Sequence, residues 1–340
     1  VIIILLKNTC DNIQFLERKD FRIMNARRAQ DLLRHIVQDE DYGAAMMDKI
    51  SVSESIYVLT QILPDCIKKA DEKNNANDSG YFNSMLRKYR PIVIEKIKNA
   101  DHLWVAYCDT TGYPYMIDSD MIVLFDYTNH VQVTKKLEDA GFKISFESVD
   151  ALAFKNEIAH MYRNGYKNIR FMDGKCEPFT VAREELFDYS EFFDDDYMTN
   201  PGLEQTMINF FQEFRKQGNV EPRADVLKSR EDAMIVAMSN AEYMVPCVKE
   251  ETEEQIEISH PFIDLTDKIK DKEEGEKVIA VPVFTDGFEM DKCYEGHHEN
   301  MLYKFDELVE LVDELGASGI IINCLGISYY MKASIMKKIG

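Results

Sequence analysis

The sequence lacks the cysteine spacings that build disulfide frameworks and zinc knuckles. Its seven cysteines are an odd number, and no two of them are spaced as in a CxxC motif. Small secreted domains pair their cysteines, whereas cytosolic proteins keep them reduced. We therefore expect a cytoplasmic protein in which most of the cysteines are small core residues. The seven are Cys10, Cys66, Cys108, Cys176, Cys247, Cys293 and Cys324.

Motifs for catalysis and cofactor binding are also missing. Gly316, Gly319 and Gly326 do not have the GxGxxG spacing of a phosphate-binding turn. Neither a GxSxG elbow nor an HExxH motif is present. Cys108 and His102 would lie about 20 Å apart along one predicted strand, too far for the histidine to activate the thiol. We expect no cofactor, and the sequence favours a non-enzymatic protein while leaving catalysis open.

Long apolar runs and dense basic clusters are absent as well. No run approaches the roughly 20 apolar residues of a membrane span. The run at residues 1–6 lacks a basic leader and a cleavage pattern, so it is predicted to be a strand rather than a signal sequence. The net charge of −21 repels nucleic-acid phosphate and anionic lipid, so neither is an expected partner. Such a charge is typical of a bacterial cytosolic protein that stays soluble.

The composition is that of a globular protein with more than one domain. The chain has 340 residues, of which 45% are hydrophobic and 30% charged. Residues 1–75 are predicted to be mostly helical after the first strand, because apolar side chains recur there at helical spacing. Pro64 should kink or interrupt one of these helices. The polar stretch at residues 70–79 is the first predicted domain boundary.

Two apolar runs organise the rest of the chain. They are residues 120–130 (DMIVLFDYTNH) and residues 277–287 (KVIAVPVFTDG), and each is predicted to be a buried central strand. Matching segments surround them in the same order, and a closing helix is predicted after each set, near residues 180–188 and 329–338. This order favours a duplication over two unrelated α/β segments. The matching segments are 98–103 with 239–244, 113–115 with 260–262, and 165–171 with 316–322.

The second set of segments carries a resemblance to a known family. Residues 281–285 (VPVFT), preceded by residues 240–242 (NAE) and followed by residues 319–323 (GIIIN), resemble the SseB N-terminal domain family of bacteria. The first set, with LFDYT at residues 124–128, resembles a diverged copy. The resemblance implies a small α/β module used as an accessory or interaction domain more often than as an enzyme, and it supplies no catalytic residues. In this chain Cys324 follows Asn323, where the family would have a proline.

These observations predict an α+β protein built from two repeated modules, each a mixed β-sheet with packed helices, after an N-terminal helical segment. The predicted parts are a helical segment at residues 1–75, a diverged SseB-like module at 80–188, an acidic linker at 189–200 and a second SseB-like module at 201–340.

One loop has the side chains of a metal site. Residues 295–299 (EGHHE) place His297 and His298 between two glutamates, and imidazole with carboxylate suits zinc or similar ions. Adjacent side chains reach one ion only if the loop bends sharply, so a solvated loop is the alternative.

A polar constellation surrounds a predicted helix-to-strand turn. Arg163 and Arg170 flank this turn, and Asp173 follows the strand, so the three residues could form an anion-binding or ligand-binding spot. The alternative is that the arginines pair with carboxylates and fix the turn, which the abundance of acidic residues favours.

The acidic linker contains ring side chains that could bind a partner. Tyr189, Phe192, Phe193 and Tyr197 lie among acids, and such aromatics can dock in a groove of another protein or of the same chain. The leading hypothesis is a non-enzymatic module that binds a protein partner. The competing hypothesis is a small-ligand binder or enzyme with a site between the two predicted modules, near Arg163 and Arg170. An exposed apolar patch would favour the first, and a deep pocket with converging polar groups the second.

Overall fold

The computed structural model describes residues 26–37, 40–173, 177–191, 193, 197–217, 223–251, 256–270, 272–273, 275–294 and 299–339. The fold is α+β with mixed sheets, as predicted. The described residues form two compact units. The first takes in Val1–Tyr162, Tyr166–Phe192 and Lys216–Glu221, and the second takes in Arg163–Gly165, Phe193–Arg215 and Pro222–Gly340.

The first unit begins with a group of helices, and the part of residues 1–75 that the structure describes is helical, as predicted. The predicted strand at residues 1–6 lies outside the described residues. The helices are α1 (Ala26–Ile36), α2 (Glu40–Lys49), α3 (Val52–Tyr57), a π-helical turn (Val58–Ile62), α4 (Leu63–Glu72) and α5 (Ala76–Lys98).

Local chemistry explains where two of these helices begin. Ser51 and Glu54 form a capping box at the start of α3, with Glu54 N donating to Ser51 Oγ at 3.1 Å and Ser51 N donating to Glu54 Oε2 at 3.1 Å. Pro64 lies in the first turn of α4, directly after the π-helical turn. Proline cannot donate the backbone hydrogen bond that would continue a regular helix, so the predicted interruption is confirmed.

The helices on both sides of the polar residues 70–79 belong to the same unit. Tyr89 of α5 is fully buried, and its hydroxyl donates to the carbonyl oxygen of Ile36 at 3.2 Å. Gly43 of α2 lets this ring approach, because a Cβ at that position would lie 2.0 Å from the Tyr89 hydroxyl oxygen. The contact between Tyr89 of α5 and Ile36 at the end of α1 therefore depends on glycine at position 43.

A mixed sheet follows in the first unit. The elements of this part are β1 (Leu103–Cys108), β2 (Tyr113–Pro114), β3 (Met116–Ile117), β4 (Asp120–Leu124), α6 (His130–Asp139), β5 (Ile144–Val149), α7 (Ala151–Arg163), β6 (Asn168–Met172), β7 (Phe179–Ala182) and α8 (Arg183–Leu186). The main strand order in the sheet is β2-β1-β4-β6-β7, and in addition β5 pairs with β1 and β3 pairs with β4. The strands β4 and β6 are parallel, and the other pairs are antiparallel. Short 3-10 turns lie at Tyr127–Asn129 and Tyr189–Glu191.

One face of this sheet is covered by α6. The core between them contains Leu124 of β4, Ile144 of β5, and Val133 and Leu137 of α6, with Trp104 and Phe146 partly buried against it. Alternation along β1 and β5 directs every second side chain to this face.

The second unit has its own parallel pair of strands. β12 pairs in parallel with β14, which pairs antiparallel with β15, and an antiparallel bridge between Met244 and Phe284 joins β8 to the end of β12. The elements are α9 (Pro201–Phe214), α10 (Ala224–Ser239), β8 (Glu242–Pro246), β9 (Val248–Glu251), β10 (Ile256–Ser259), β11 (Ile263–Asp264), β12 (Ile279–Val283), α11 (Gly287–Asp291), β13 (Asn300–Lys304), α12 (Phe305–Glu314), β14 (Gly319–Ile322), β15 (Tyr329–Lys332) and α13 (Ala333–Ile339).

The predicted closing helices are wrong in their first halves. Residues 179–182 and 329–332 are strands β7 and β15, and the helices α8 and α13 begin only after them. Phe179 and Val181 are buried while Thr180 is exposed, so this stretch follows the period of a strand. Pairing with the neighbouring strand overrides the weak helical pattern in both places.

The two larger sheets can be compared strand by strand. β4 has antiparallel β1 and β3 on one side and parallel β6 on the other. β12 has antiparallel β11 and the isolated bridge to β8 on one side and parallel β14 on the other. Leu124 lies opposite Trp104 of β1, and Phe284 lies opposite Met244 of β8, so the strand pairing makes Leu124 correspond to Phe284. The two matched sequence segments instead place Leu124 opposite Val281. The two segments LFDYT and VPVFT differ in structure, because Tyr127 starts a 3-10 turn while Phe284 directly follows β12 and forms a bridge with Met244. A common origin of the sheets stays a prediction.

The close approach at Gly43 gives a stability prediction. Gly43→Ala should lower the free energy of unfolding by about 1–3 kcal/mol, because the added methyl group must displace the buried Tyr89 ring. Urea unfolding followed by circular dichroism measures this loss. Gly80→Ala is the matched control, since Gly80 lies in α5 with open space around it and alanine should add about 0.5–1 kcal/mol. Equal stability of the Gly43 variant and the unmodified chain would contradict the packing described here.

Candidate functional site

The structure pairs each predicted arginine with its own carboxylate. Arg163 donates from Nη1 to both Asp286 oxygens, at 2.9 and 2.8 Å, within the second unit. Arg170 donates from Nε to Asp120 Oδ2 at 2.6 Å, within the first. Asp173, also in the first unit, accepts a long hydrogen bond from Ser53 Oγ at 3.4 Å. The structure therefore favours the alternative in which the arginines neutralise acids, and the predicted ligand-binding role of these residues stays a hypothesis.

Arg163 belongs to a buried polar centre in the second unit. Its side chain is 4% exposed and that of Asp286 is fully buried. The guanidinium carbon lies 4.0 Å from the centroid of the Phe288 ring, and Nη1 lies 3.9 Å from Glu289 Oε1. Asp286 also caps α11, because its Oδ1 accepts from the backbone N of Glu289 at 2.9 Å. One aspartate thus neutralises the arginine and starts a helix.

A ring of hydrogen bonds lies at the ends of the parallel strands β12 and β14. Thr285 Oγ1 donates to Glu204 Oε1 at 2.6 Å, and the Asn323 amide donates to the same oxygen and to Thr285 Oγ1. Thr285 N donates in turn to Asn323 Oδ1 at 3.1 Å. The carboxyl ends of parallel strands are where ligand sites form in many α/β proteins. Glu204 lies in α9, far from both strands in the chain. The sequence therefore does not reveal that Glu204 contacts Thr285 and Asn323.

Glu204 is the least expected member of this centre. Its residue is completely buried, and its Oε2 has no hydrogen-bond partner among the described residues. Burial, with the nearby negative charge of Glu289, raises the pKa of the Glu204 carboxyl to about 8. The carboxyl is therefore protonated at neutral pH.

Two further side chains complete the polar centre. Lys292 Nζ donates to Glu289 Oε1 at 2.6 Å, so the third buried acid is also paired. Asn200, directly before α9, makes no side-chain capping bond. Its amide donates instead to the carbonyl oxygens of Thr285 and Glu242, both at 2.7 Å. Because the acids, Thr285 and Asn323 are at most 1% exposed, they stabilise the strand ends and do not face solvent.

A helical pattern could have revealed Glu204. It lies four residues before Ile208 and seven before Phe211, and both of these are buried. The three therefore share one helical face, on which an acid is exceptional. No sequence signal identifies Thr285 or Asn323 as its partners.

The raised pKa predicts how stability depends on pH. An unfolded chain loses the Glu204 proton near the ordinary value of 4.5, whereas the folded chain holds it to about pH 8. This group's contribution should therefore be fully present below about pH 4.5 and fall as the pH rises towards 8. Glu204→Gln keeps a neutral hydrogen-bond acceptor at this position. It should remove a change in the free energy of unfolding on the order of a few kcal/mol between pH 4.5 and pH 8.

Urea unfolding at pH 5 and pH 8.5 measures this effect. The free energy of unfolding of the Glu204→Gln variant should equal that of the unmodified chain at pH 5 and be larger than it at pH 8.5. Glu310→Gln on the exposed side of α12 is the control and should leave the pH dependence unchanged. An unaltered pH dependence in the Glu204 variant would show that the carboxyl is charged in the folded state at neutral pH.

The described linker aromatics contact this chain itself. Tyr189 stacks on Tyr162 with ring centroids 4.9 Å apart, and the Arg183 guanidinium lies 5.2 Å from its ring. Phe193 lies 4.7 Å from the Tyr197 ring. Burial, with the negative charge of Asp286, raises the pKa of Tyr197. Self-docking was one of the two predicted alternatives, and a partner-binding role for these rings stays a prediction.

Three predicted site residues, Phe192, His297 and His298, lie outside the described residues. Among the residues that the structure does describe, no three or more His, Cys, Asp or Glu side chains are placed to hold a metal ion. The same part of the chain contains no helix with the length and apolarity to cross a membrane.

A group of aromatic side chains in the first unit reaches the surface, and we call it the aromatic platform. It consists of Trp104, Tyr127, His130 and Phe146. The Tyr127 ring lies between its neighbours, stacked 3.7 Å from His130 and 5.3 Å from Trp104, and Phe146 meets its edge at 6.3 Å. Tyr127 is 37% exposed, and neighbouring Val131 is 63% exposed.

Three elements position the platform. Trp104 and Phe146 extend from β1 and β5 beside the core under α6, and Tyr127 and His130 lie at the start of α6. His130 Nδ1 lies 2.7 Å from the Tyr127 carbonyl oxygen, which fixes the stacked rings. No local sequence pattern reveals this group, because β1, β5 and the start of α6 are distant from one another in the chain. The alternation of β1, which puts Trp104 on the same face as Cys108, was the available signal.

The strand next to the platform lies at the edge of its sheet. β5 pairs with β1 on one side, and no strand pairs with its other side within the described residues. Ser145, Glu147 and Ser148 of β5 are exposed. An edge of this kind can accept an added strand from another chain.

Comparisons of the chain with family models, curated proteins and solved structures found no match. The resemblance to the SseB N-terminal domain family therefore stays a prediction, and the function is argued from the described residues.

Proposed function

We propose that this chain is a non-enzymatic interaction protein whose partner docks on the aromatic platform and the free edge of β5. The observation that carries the proposal is the stack of Trp104, Tyr127 and His130 at the surface. Stacked aromatics that continue a core outward provide a large apolar contact area at little cost in side-chain entropy.

Charge supports a basic partner segment. The net charge of the chain is −21, and the exposed Asp101 and the half-exposed Asp126 lie close in sequence to Trp104 and Tyr127. An extended segment with alternating lysines could pair with the edge of β5 and place cationic heads beside the aromatic platform. Opposite charge would also speed the encounter of the two chains.

The proposal agrees with the family that the sequence resembles. We propose that the two sheets are SseB-like modules, one diverged, and their matching order of parallel and antiparallel pairs supports this. Acids in the polar centre are hidden from solvent, which favours binding over catalysis. Cytoplasmic localisation stays part of this proposal, because the cysteine spacing supports it.

The only tryptophan of the chain provides a direct test, because it is Trp104. A ten-residue peptide of alternating lysine and valine should alter the intensity and wavelength of its emission in a saturable way. Tyr127→Ala should weaken binding about five- to thirty-fold, since an aromatic contact contributes about 1–2 kcal/mol. Raising the salt concentration should weaken the binding of the lysine peptide to the unmodified chain as well, because salt screens the charge attraction.

Two controls separate docking from charge attraction. A peptide with glutamate in place of lysine should leave the emission unchanged. Phe214→Ala removes an exposed ring of the second unit, outside the platform, and should retain the affinity of the unmodified chain. The proposal fails if folded Tyr127→Ala protein binds the lysine peptide as tightly as the unmodified chain does.

A small-ligand function is the second candidate, and one observation favours it. Thr285 and Asn323 follow the carboxyl ends of two parallel strands, and the buried Glu204 Oε2 beside them has no hydrogen-bond partner among the described residues. A thermal-shift screen with amino acids, nucleotides and divalent metals tests it, because a ligand of the native state raises Tm. A uniformly unchanged Tm would count against this candidate and leave the platform proposal intact.

A further inference from the structure

Two cysteines of the second unit approach each other closely. The Sγ atoms of Cys293 and Cys324 lie 2.9 Å apart, although the residues are 31 positions apart in the sequence. Cys293 follows α11 and Cys324 follows β14. A disulfide has a sulfur–sulfur distance of about 2.05 Å, so the two atoms need to move together by less than about 1 Å. The cysteine spacings in the sequence predicted no such pair.

The surroundings of this pair differ from those of the core cysteines. Cys293 and Cys324 are both partly exposed, so a small oxidant can reach them. Cys108, in contrast, is buried, and its sulfur lies 3.3 Å from Thr110 Oγ1. Cys66 is partly exposed like the pair and serves below as the matched control.

We propose that Cys293 and Cys324 form a reversible disulfide, which makes the end of α11 and the turn after β14 a redox-modification site. The co-reactant is a small-molecule disulfide, RSSR. One cysteine thiolate attacks a sulfur of RSSR, forming a mixed disulfide and releasing RS⁻. The second thiolate then attacks the cysteine sulfur of that mixed disulfide and releases the second RS⁻. The two cysteine thiols are oxidised, RSSR is reduced, and the two thiol protons end on the released RSH molecules.

The geometry lets either thiol resolve a mixed disulfide formed on the other, at a contact distance that needs no large rearrangement. Burial, together with the contact to the Cys293 sulfur, raises the pKa of the Cys324 thiol. Attack by the Cys324 thiolate should therefore become faster as the pH rises.

The disulfide would join two parts of the polar centre. Cys324 directly follows Asn323, which donates to Glu204, and Cys293 directly follows Lys292, which pairs with Glu289. A covalent bond here closes a loop of about 30 residues and restricts the unfolded chain. The oxidised protein should therefore unfold at a Tm about 5 °C or more above that of the reduced protein.

Peptide mapping of the full chain tests the proposal directly. Reduced protein is treated with oxidised glutathione, free thiols are blocked with N-ethylmaleimide, and the protein is digested with trypsin. Cleavage after Lys292, Lys304 and Lys332 puts the two cysteines on separate peptides, residues 293–304 and 305–332. The expected product is this peptide pair linked with the loss of two hydrogen atoms, and dithiothreitol should release it.

Variants and stability give the control measurements. Cys66→Ser should leave the linked peptide and the rise in Tm unchanged, whereas Cys293→Ser and Cys324→Ser should each abolish both. If either of these two variants fails to fold, the map of the unmodified chain still decides. Stable glutathione adducts on Cys293, full alkylation of both cysteines, or a link to any other cysteine would overturn the proposal.

Discussion

Neutralisation of buried acids is the constraint on which the second unit depends. Glu204, Asp286 and Glu289 are each at most 1% exposed, and three carboxylates in one interior would repel each other strongly. Arg163 neutralises Asp286, Lys292 pairs with Glu289, and a bound proton neutralises Glu204. Each acid is neutralised in a different way. Removing one neutralising group would therefore leave its own carboxylate charged and unpaired in the interior.

The backbone makes this concentration of polar groups possible. β12 and β14 run in parallel, so Thr285 and Asn323 leave the sheet at the same edge. Asn323 has a φ of 47°, in the left-handed region that asparagine tolerates, and this conformation lets the chain turn directly after the strand. The amide then links Glu204 with Thr285. The resemblance to the SseB N-terminal domain family predicts a proline after Asn323, and the chain has Cys324 there instead.

Sequence reasoning succeeded where a local rule decided the structure. Pro64 lies in the first turn of α4, directly after the π-helical turn, because proline restricts the backbone whatever the tertiary context. It failed for β7 and β15, since a short stretch becomes a strand only if a partner strand lies beside it. Asn323 and Glu204 are 119 residues apart, and no periodicity encodes such a contact. Arg163 could be identified as a paired arginine, but its partner Asp286 could not.

The distribution of side chains favours recognition over catalysis. Apolar residues at a surface and polar residues in an interior are the informative exceptions in a folded protein. Here the second unit buries the carboxyls of Glu204, Asp286 and Glu289, while the first unit exposes stacked rings beside a strand edge that no described strand pairs with. A catalytic acid must touch its substrate, which fully buried carboxyls cannot do in this conformation. An aromatic surface needs only a partner with complementary shape and charge, and a basic partner is the one that the proposal expects for a chain with this net charge.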